Sequence, residues 1–125
     1  MSPHVLLVED DPDTSALYQR IFRMKDFEVS SAIDHLGALD LLEQKDIDLA
    51  IIDYQLPKLN GAELCKLIKQ NAATAHIPVI VLTIESTDEI EARCIAAGTD
   101  AFFAKPPVFD DILAQAKLLI GRTKE

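Results

Sequence analysis

The feature that most constrains the fold is an alternation of short, wholly apolar runs with longer amphipathic stretches. Residues 5–8, 49–52 and 79–82 contain no polar side chain at any position. Such runs indicate strands that are buried on both faces, as in parallel sheets covered by helices on both sides. Residues 27–32 and 101–104 are two further strand candidates, and a helical pattern follows each run. The sequence therefore predicts five strand–helix units in an open, doubly wound α/β fold.

The first helix can be placed by its capping residues. Asp11 and Pro12 fit the N-cap and the first helical position, because a proline there gives up no needed hydrogen bond. Leu17, Ile21 and Met24 recur at spacings of 4 and 3 along this helix. That spacing predicts one apolar face, which would pack against the sheet.

Capping signals also predict the ends of two later helices. Ser86, with Glu89 three residues on, has the pattern of a capping box, and Gly98 is placed to end the helix that they begin. The last helix is expected to end at Gly121. Residues 122–125 would then be a frayed end.

Composition and charge exclude several classes of protein. The chain has 125 residues, of which 49% are hydrophobic, and we expect one globular domain spanning residues 1–125. Its net charge of −9 argues against direct binding to nucleic acid or anionic membranes. Cys65 and Cys94 lack the number and spacing of a disulfide framework or zinc site, so we expect two reduced, buried thiols. No signal peptide or membrane-spanning run is present, and a cytoplasmic location is expected.

Polar residues interrupt the apolar pattern where predicted strands end. Glu9 and Asp10 follow the first strand, Asp53 the third, Thr83 the fourth and Lys105 the fifth. The carboxyl ends of parallel strands lie at one edge of the sheet, where open α/β folds bind ligands. We therefore expect these five residues to converge on one pocket.

These residue types together indicate a site for a phosphoryl group. Three neighbouring carboxylates repel one another unless a cation compensates, and a hard ion such as Mg²⁺ prefers oxygen ligands. Lys105 supplies a compact positive charge for a phosphate oxygen, and Thr83 supplies a hydroxyl. A carboxylate can itself be the nucleophile and become an aspartyl phosphate. Asp11, next to the acidic pair, is explained by its N-cap position and is left out of the site.

Over its whole length the chain resembles a response-regulator receiver domain of two-component signalling. The matching features occur in the family's order and spacing: Val8-Glu9-Asp10-Asp11, residues 53–61, the strand-end Thr83, and Lys105-Pro106 three residues after Phe102. The resemblance implies a flavodoxin-like sheet of order 2-1-3-4-5 with five helices on its two faces. It also implies a cis peptide between Lys105 and Pro106.

The resemblance assigns a role to each residue of the acidic pocket. Asp53 would be the phosphoacceptor and a ligand of Mg²⁺. Asp10 would bind Mg²⁺ directly, Glu9 mainly through a water, and Gln55 through its backbone carbonyl. Lys105 would contact the phosphoryl group.

The resemblance also implies a switching mechanism and partners. After phosphorylation Thr83 would move toward the phosphoryl group, and Phe102 would turn into the space it vacates. This would change a binding face formed by the fourth helix, fifth strand and fifth helix. The phosphodonor would be a histidine kinase or histidine phosphotransfer protein, and the changed face would bind a downstream effector. We expect a monomer or a dimer through that face, and at most self-phosphorylation from small donors and self-dephosphorylation as enzymatic activity.

Two residues depart from the family's usual pattern. Ile84 follows the switch threonine where a small residue is frequent, and we expect its side chain to slow access to Asp53. Pro107 replaces a frequent aromatic residue and is expected to stiffen the loop into the last helix.

Other functions remain open on the residues alone. An aspartate-nucleophile phosphatase normally carries a second aspartate two positions after the nucleophile, and here Gln55 stands there, which disfavours general acid catalysis. A receiver that serves only as a binding scaffold is a further alternative. A flavin or nucleotide binder is disfavoured because the loop after the first strand is acidic and lacks glycine. The chain could stand alone or belong to a longer regulator, although the initial Met1 slightly favours a natural N-terminus.

Overall fold

A computed structural model describes residues 2–124 and forms a parallel sheet with helices on both faces. Its strands and helices are β1 (His4–Val8), α1 (Pro12–Met24), β2 (Glu28–Ala32), α2 (His35–Gln44), β3 (Leu49–Asp53), α3 (Gly61–Gln70), β4 (Val79–Thr83), α4 (Asp88–Ala97), β5 (Ala101–Ala104) and α5 (Phe109–Lys124). The sheet order is β2-β1-β3-β4-β5, with every neighbouring pair parallel. The predicted fold and strand order are confirmed.

The apolar strands bury alternate side chains on opposite faces of the sheet. Both β3 and β4 are buried at every position. On one face Ile52 and Val81 pack in a cluster with residues of α2, α3 and α4. On the other, Ile51 and Leu82 pack with residues of α1 and α5, including Phe22. Burial on both faces explains why these strands carry no alternating polar residues.

Helix α4 shows one correct and one wrong cap prediction. Thr87 is its N-cap, with its side chain accepting a hydrogen bond from the backbone N–H of Ile90, so the capping box predicted from Ser86 and Glu89 is wrong. Ser86 and Thr87 are both suitable caps by residue type, and the structure uses the second. Gly98 ends the helix in the left-handed region at a φ of 95°, as predicted.

Two other predictions about helices are corrected. The buried residues of α1 are Ser15, Tyr18 and Phe22, whereas Leu17 and Met24 of the predicted apolar face are exposed. The two aromatic rings have more apolar surface to bury than Leu17 and Met24, so they decide which side of the helix faces the sheet. Helix α5 continues through Gly121 to Lys124, because one helical glycine costs only about 1 kcal/mol and buried residues nearby hold the helix in place.

Two other predictions, the cap of α1 and the two buried thiols, are confirmed. Asp11 caps α1 by accepting a hydrogen bond from the backbone N–H of Thr14. Cys65 and Cys94 are buried and free. Among residues 2–124, no helix has both the length and the apolar character required to span a bilayer. The prediction that residues 122–125 are frayed is wrong for residues 122–124, which belong to α5. Residue 125 lies outside the described part of the chain.

Candidate functional site

The sheet topology brings the predicted site residues to one edge. Glu9 and Asp10 directly follow β1, Asp53 and Thr83 are the last residues of β3 and β4, and Lys105 directly follows β5. A cleft of about 490 Å³ lies at this edge. It is lined by Glu9, Asp10, Asp11, Thr14, Tyr18, Asp53, Gln55, Ile84, Lys105 and Pro106.

Three carboxylates lie close together in the cleft. Glu9, Asp10 and Asp53 each offer an oxygen, and these oxygens all lie within 4.8 Å of one another. Glu9 and Asp53 are buried, whereas Asp10 is exposed. The Glu9 Oε2 atom is buried and accepts no hydrogen bond from any described residue. An unpartnered buried oxygen within an acidic cluster fits a cation or its bound water, so the donor set suits Mg²⁺.

The ammonium group of Lys105 is in contact with this cluster. Lys105 Nζ donates a hydrogen bond of 2.8 Å to Glu9 Oε1 and lies 3.3 Å from Asp53 Oδ1. The Lys105 side chain is only 10% exposed. The Lys105–Pro106 peptide is cis, as the resemblance implied. One positive charge therefore faces two buried negative ones.

The charges of the cleft perturb the pKa values of its groups. Burial, followed by the neighbouring Asp53, raises the pKa of Glu9 to about 7, and Lys105 offsets only part of this rise. Burial alone would lower the pKa of Lys105, but the hydrogen bond to Glu9 and the charges of Asp53 and Glu9 outweigh it and raise that pKa. Without a second cation, the site binds a proton at Glu9 more readily than an exposed glutamate does.

The hydroxyl of Thr83 is held by two partners. Thr83 is fully buried and donates a 2.9 Å hydrogen bond to the Glu85 carbonyl. It accepts one of 3.1 Å from the Gln55 side-chain amide. The backbone N–H of Gln55 in turn donates to Asp53 Oδ1 at 3.3 Å. The motifs indicated Gln55 only through its backbone carbonyl, so the contact between its side chain and Thr83 was missed.

Phe102 lies on β5 beside Val81 of β4 and is partly buried. It packs against the same apolar cluster as Val81, on the side of α3 and α4. Phe103 packs on the opposite face of the sheet. The two adjacent rings therefore belong to different halves of the core. Of the two, only Phe102 lies on the face of the sheet that α3 and α4 cover.

Two residues of α1 that line the cleft were missed by the motif analysis. Thr14 and Tyr18 both contribute to its wall. The Tyr18 ring is buried, and Lys105 Nζ lies 5.9 Å from its centroid. The sequence did carry a signal for them. Thr14 and Tyr18 are four residues apart on α1, so both lie on one face of that helix, close to the acidic loop before it.

The architecture and the acidic cleft agree with a comparison against known families. The sequence model of one family, the response regulator receiver domain, matches residues 5–117. This chain belongs to that family. Receiver domains are signalling domains of two-component response regulators, not metabolic enzymes, and they interact with histidine kinases and downstream effectors. They bind Mg²⁺ at an acidic pocket.

Individual relatives support the assignment. The receiver domain is 31% identical over 121 residues to the DNA-binding dual master transcriptional regulator RpaA of a Synechocystis species, covering 97% of this chain and 50% of RpaA. It thus spans about half the length of that relative. The signal receiver domain of a histidine kinase from Syntrophus aciditrophicus superimposes with a TM-score of 0.92 at 27% identity, covering 99% of this chain and 94% of that one.

A further structural relative contains a metal ion. The receiver domain of the sensor histidine kinase PA1611 from Pseudomonas aeruginosa has a TM-score of 0.88 at 25% identity, covering 97% of this chain and 99% of that one. In that protein a magnesium ion is coordinated in the active-site cleft.

Proposed function

We propose that this receiver domain is a phosphorylation-dependent switch that accepts a phosphoryl group on Asp53. The observation that carries the proposal is the buried Asp53 carboxylate between two acidic neighbours and the ammonium of Lys105. The donor would be a phosphohistidine of a histidine kinase or histidine phosphotransfer protein. Residues 1–125 would act as one receiver domain in the cytoplasm, as a monomer or as a dimer through its switching face.

The transfer itself needs no proton from the protein. A carboxylate oxygen of Asp53 forms a bond to phosphorus while the bond from phosphorus to the histidine nitrogen breaks. The leaving nitrogen keeps the electron pair of the broken bond, and the ring departs as neutral imidazole because its other nitrogen carries a proton in the phosphohistidine donor. Lys105, 3.3 Å from Asp53 Oδ1, is placed to pair with a phosphoryl oxygen and stabilise its negative charge. Hydrolysis then transfers the phosphorus to a water oxygen and regenerates the Asp53 carboxylate and phosphate.

The acidic cluster supports a site for Mg²⁺. Asp10 and Asp53 would hold the ion with the backbone carbonyl of Gln55, and Glu9 would act mainly through a bound water. When bound, Mg²⁺ neutralises charge that builds up on the phosphoryl oxygens. The unpartnered Glu9 Oε2 supports this assignment, because a water held there would satisfy it.

The signal would leave the site through Thr83. Its hydroxyl is engaged by Gln55 and Glu85 and would have to release Glu85 in order to donate to a phosphoryl oxygen. Phe102, on the neighbouring strand, would then turn toward the vacated space. This would shift the population of conformations on the α4-β5-α5 face, where a downstream effector binds.

Intact mass spectrometry tests the proposal. The protein is incubated with acetyl phosphate and Mg²⁺ beside Asp53→Asn, which keeps the shape of the side chain but removes the nucleophilic carboxylate. A single labile phosphoryl adduct on the wild type alone is expected. No adduct, in a sample with Mg²⁺ binding confirmed separately, would contradict phosphorylation from small donors and favour a binding scaffold or a receiver that accepts only its own partner.

A further inference from the structure

An aromatic ring from outside the acidic motifs forms one wall of the phosphoryl site. Tyr18 lines the cleft and is 6% exposed, and Lys105 Nζ lies 5.9 Å from the centroid of its ring. A second ring packs against it in a T-shaped arrangement, because the centroids of Phe109 and Tyr18 lie 5.1 Å apart at an angle of 81°. Tyr18 belongs to α1. Lys105 lies in the loop between β5 and α5, and Phe109 is the first residue of α5.

The Lys105 ammonium has two kinds of neighbour, namely two carboxylates and one aromatic ring. Glu9 and Asp53 offer carboxylate oxygens at 2.8 and 3.3 Å. Under the proposed function both carboxylates would also serve the bound cation or the phosphoryl group. The Tyr18 ring is neutral near pH 7, as any tyrosine is, and burial raises the pKa of its hydroxyl further. A neutral ring attracts an ammonium group through its quadrupole, and this attraction grows when water is excluded.

We propose that Tyr18 is a positioning residue for phosphoryl transfer, which holds the Lys105 ammonium beside Asp53 through its ring. This role rests on the proposed phosphorylation of Asp53. A phosphoryl group on Asp53 requires Lys105 to exchange its hydrogen bond with Glu9 for a phosphoryl oxygen. The ring contact does not depend on which of these anions the ammonium faces, so Tyr18 can keep the ammonium in the cleft during the exchange.

The ring also connects the site to the last helix. Phe109 is the first residue of α5 and forms a T-shaped pair with Tyr18, so we expect a displacement of Lys105 to be felt at α5 through the Tyr18 ring. This contact lies on the face of the sheet opposite Phe102. It is therefore separate from the path through Thr83.

The test compares Tyr18→Leu, Tyr18→Phe and Phe22→Leu. Phe22 is a matched control because it is a buried aromatic residue one turn further along α1, where it packs against Phe27. The rate of labelling by acetyl phosphate at saturating Mg²⁺ is measured well below the unfolding temperature of every variant. We expect Tyr18→Leu to slow labelling by about 3- to 10-fold, while Tyr18→Phe and Phe22→Leu stay close to wild type.

A second readout does not depend on phosphorylation. In protein with ¹³C-labelled lysine, the Lys105 ε-methylene signal is assigned by its loss in Lys105→Gln. A ring-current shift of that signal is expected in wild type and Tyr18→Phe and should disappear in Tyr18→Leu. In the Lys105→Gln background, Tyr18→Leu should give no further decrease of the residual labelling rate.

The outcomes separate this role from the proposed function. An unchanged labelling rate in Tyr18→Leu, or a further decrease in the Lys105→Gln background, would show that Tyr18 does not act through Lys105. A missing ring-current shift in an active wild type would overturn the role of Tyr18 alone. If the wild type takes up no phosphoryl group from either acetyl phosphate or a phosphohistidine donor, the proposed function fails and this role fails with it, even if the ring-current shift is present.

Discussion

In the absence of Mg²⁺, raising the pH is expected to destabilise the receiver domain through Glu9. Burial and the neighbouring Asp53 raise the pKa of Glu9 from its ordinary 4.5 to about 7 in the folded protein. The folded state therefore binds this proton more tightly than the unfolded chain does. The resulting stabilisation is fully present below a pH of about 4.5 and is lost as the pH rises through about 7.

The size of the effect follows from the two pKa values. The difference between 4.5 and about 7 corresponds to at most roughly 3 kcal/mol of unfolding free energy. Water in the open cleft screens the charges, so we expect roughly 1–2 kcal/mol. For a domain of this length that is a decrease of roughly 4–8 °C in Tm between about pH 5 and about pH 8.

Thermal unfolding in the presence of a chelator measures this decrease. The matched control is Glu9→Gln, which keeps the size of the side chain but cannot ionise. The contribution of Glu9 is the difference between the pH dependence of the wild type and that of the variant, because all other titrating groups are common to both. Saturating Mg²⁺ should restore the wild type at about pH 8, since the cation then compensates the carboxylates.

Two results would refute this reasoning. One is a Glu9→Gln variant with the same change in Tm between the two pH values as the wild type. The other is a Mg²⁺ affinity that does not weaken below pH 7, because a proton on Glu9 should compete with the metal site.

Three further substitutions test the surroundings of the site. Ile84→Ala should shorten the lifetime of the phosphoryl adduct a few-fold, because Ile84 lines the cleft and its removal admits water; equal half-lives would contradict this. Lys69→Met should lower the free energy of unfolding in urea by about 2 kcal/mol, since the substitution removes a donor to the Ile77 carbonyl and to Asp100. A decrease no larger than that of the exposed Lys66→Met would disprove this expectation. Gly61→Ala should cost about 2 kcal/mol and impair labelling, because the added Cβ would lie 2.7 Å from the backbone oxygen of Asp53; Gly121→Ala, with open space at that position, should not destabilise.

Local sequence signals determined the sheet and the residues that the strand ends bring to the site. Apolar runs too short for helices, each followed by a polar residue, fixed both the strands and the edge at which Glu9, Asp53 and Lys105 meet. This inference succeeds because the carboxyl ends of parallel strands lie at one edge whatever the loops do. The Asp11 cap was predictable for a similar reason, since its partner Thr14 is three residues away.

Packing between distant segments decided the remainder. Tyr18 is part of the cleft because α1 packs beside the loop that carries Lys105, 87 residues further along the chain. The side chain of Gln55, just after β3, reaches Thr83 at the end of the neighbouring strand β4. The pKa of Glu9 depends on its burial and on Asp53, neither of which a local pattern reveals. The sequence alone could identify which strand-end groups meet, because strand ends are local features. Their orientation, exposure and charge state follow from contacts that exist only once helices and loops pack against the sheet.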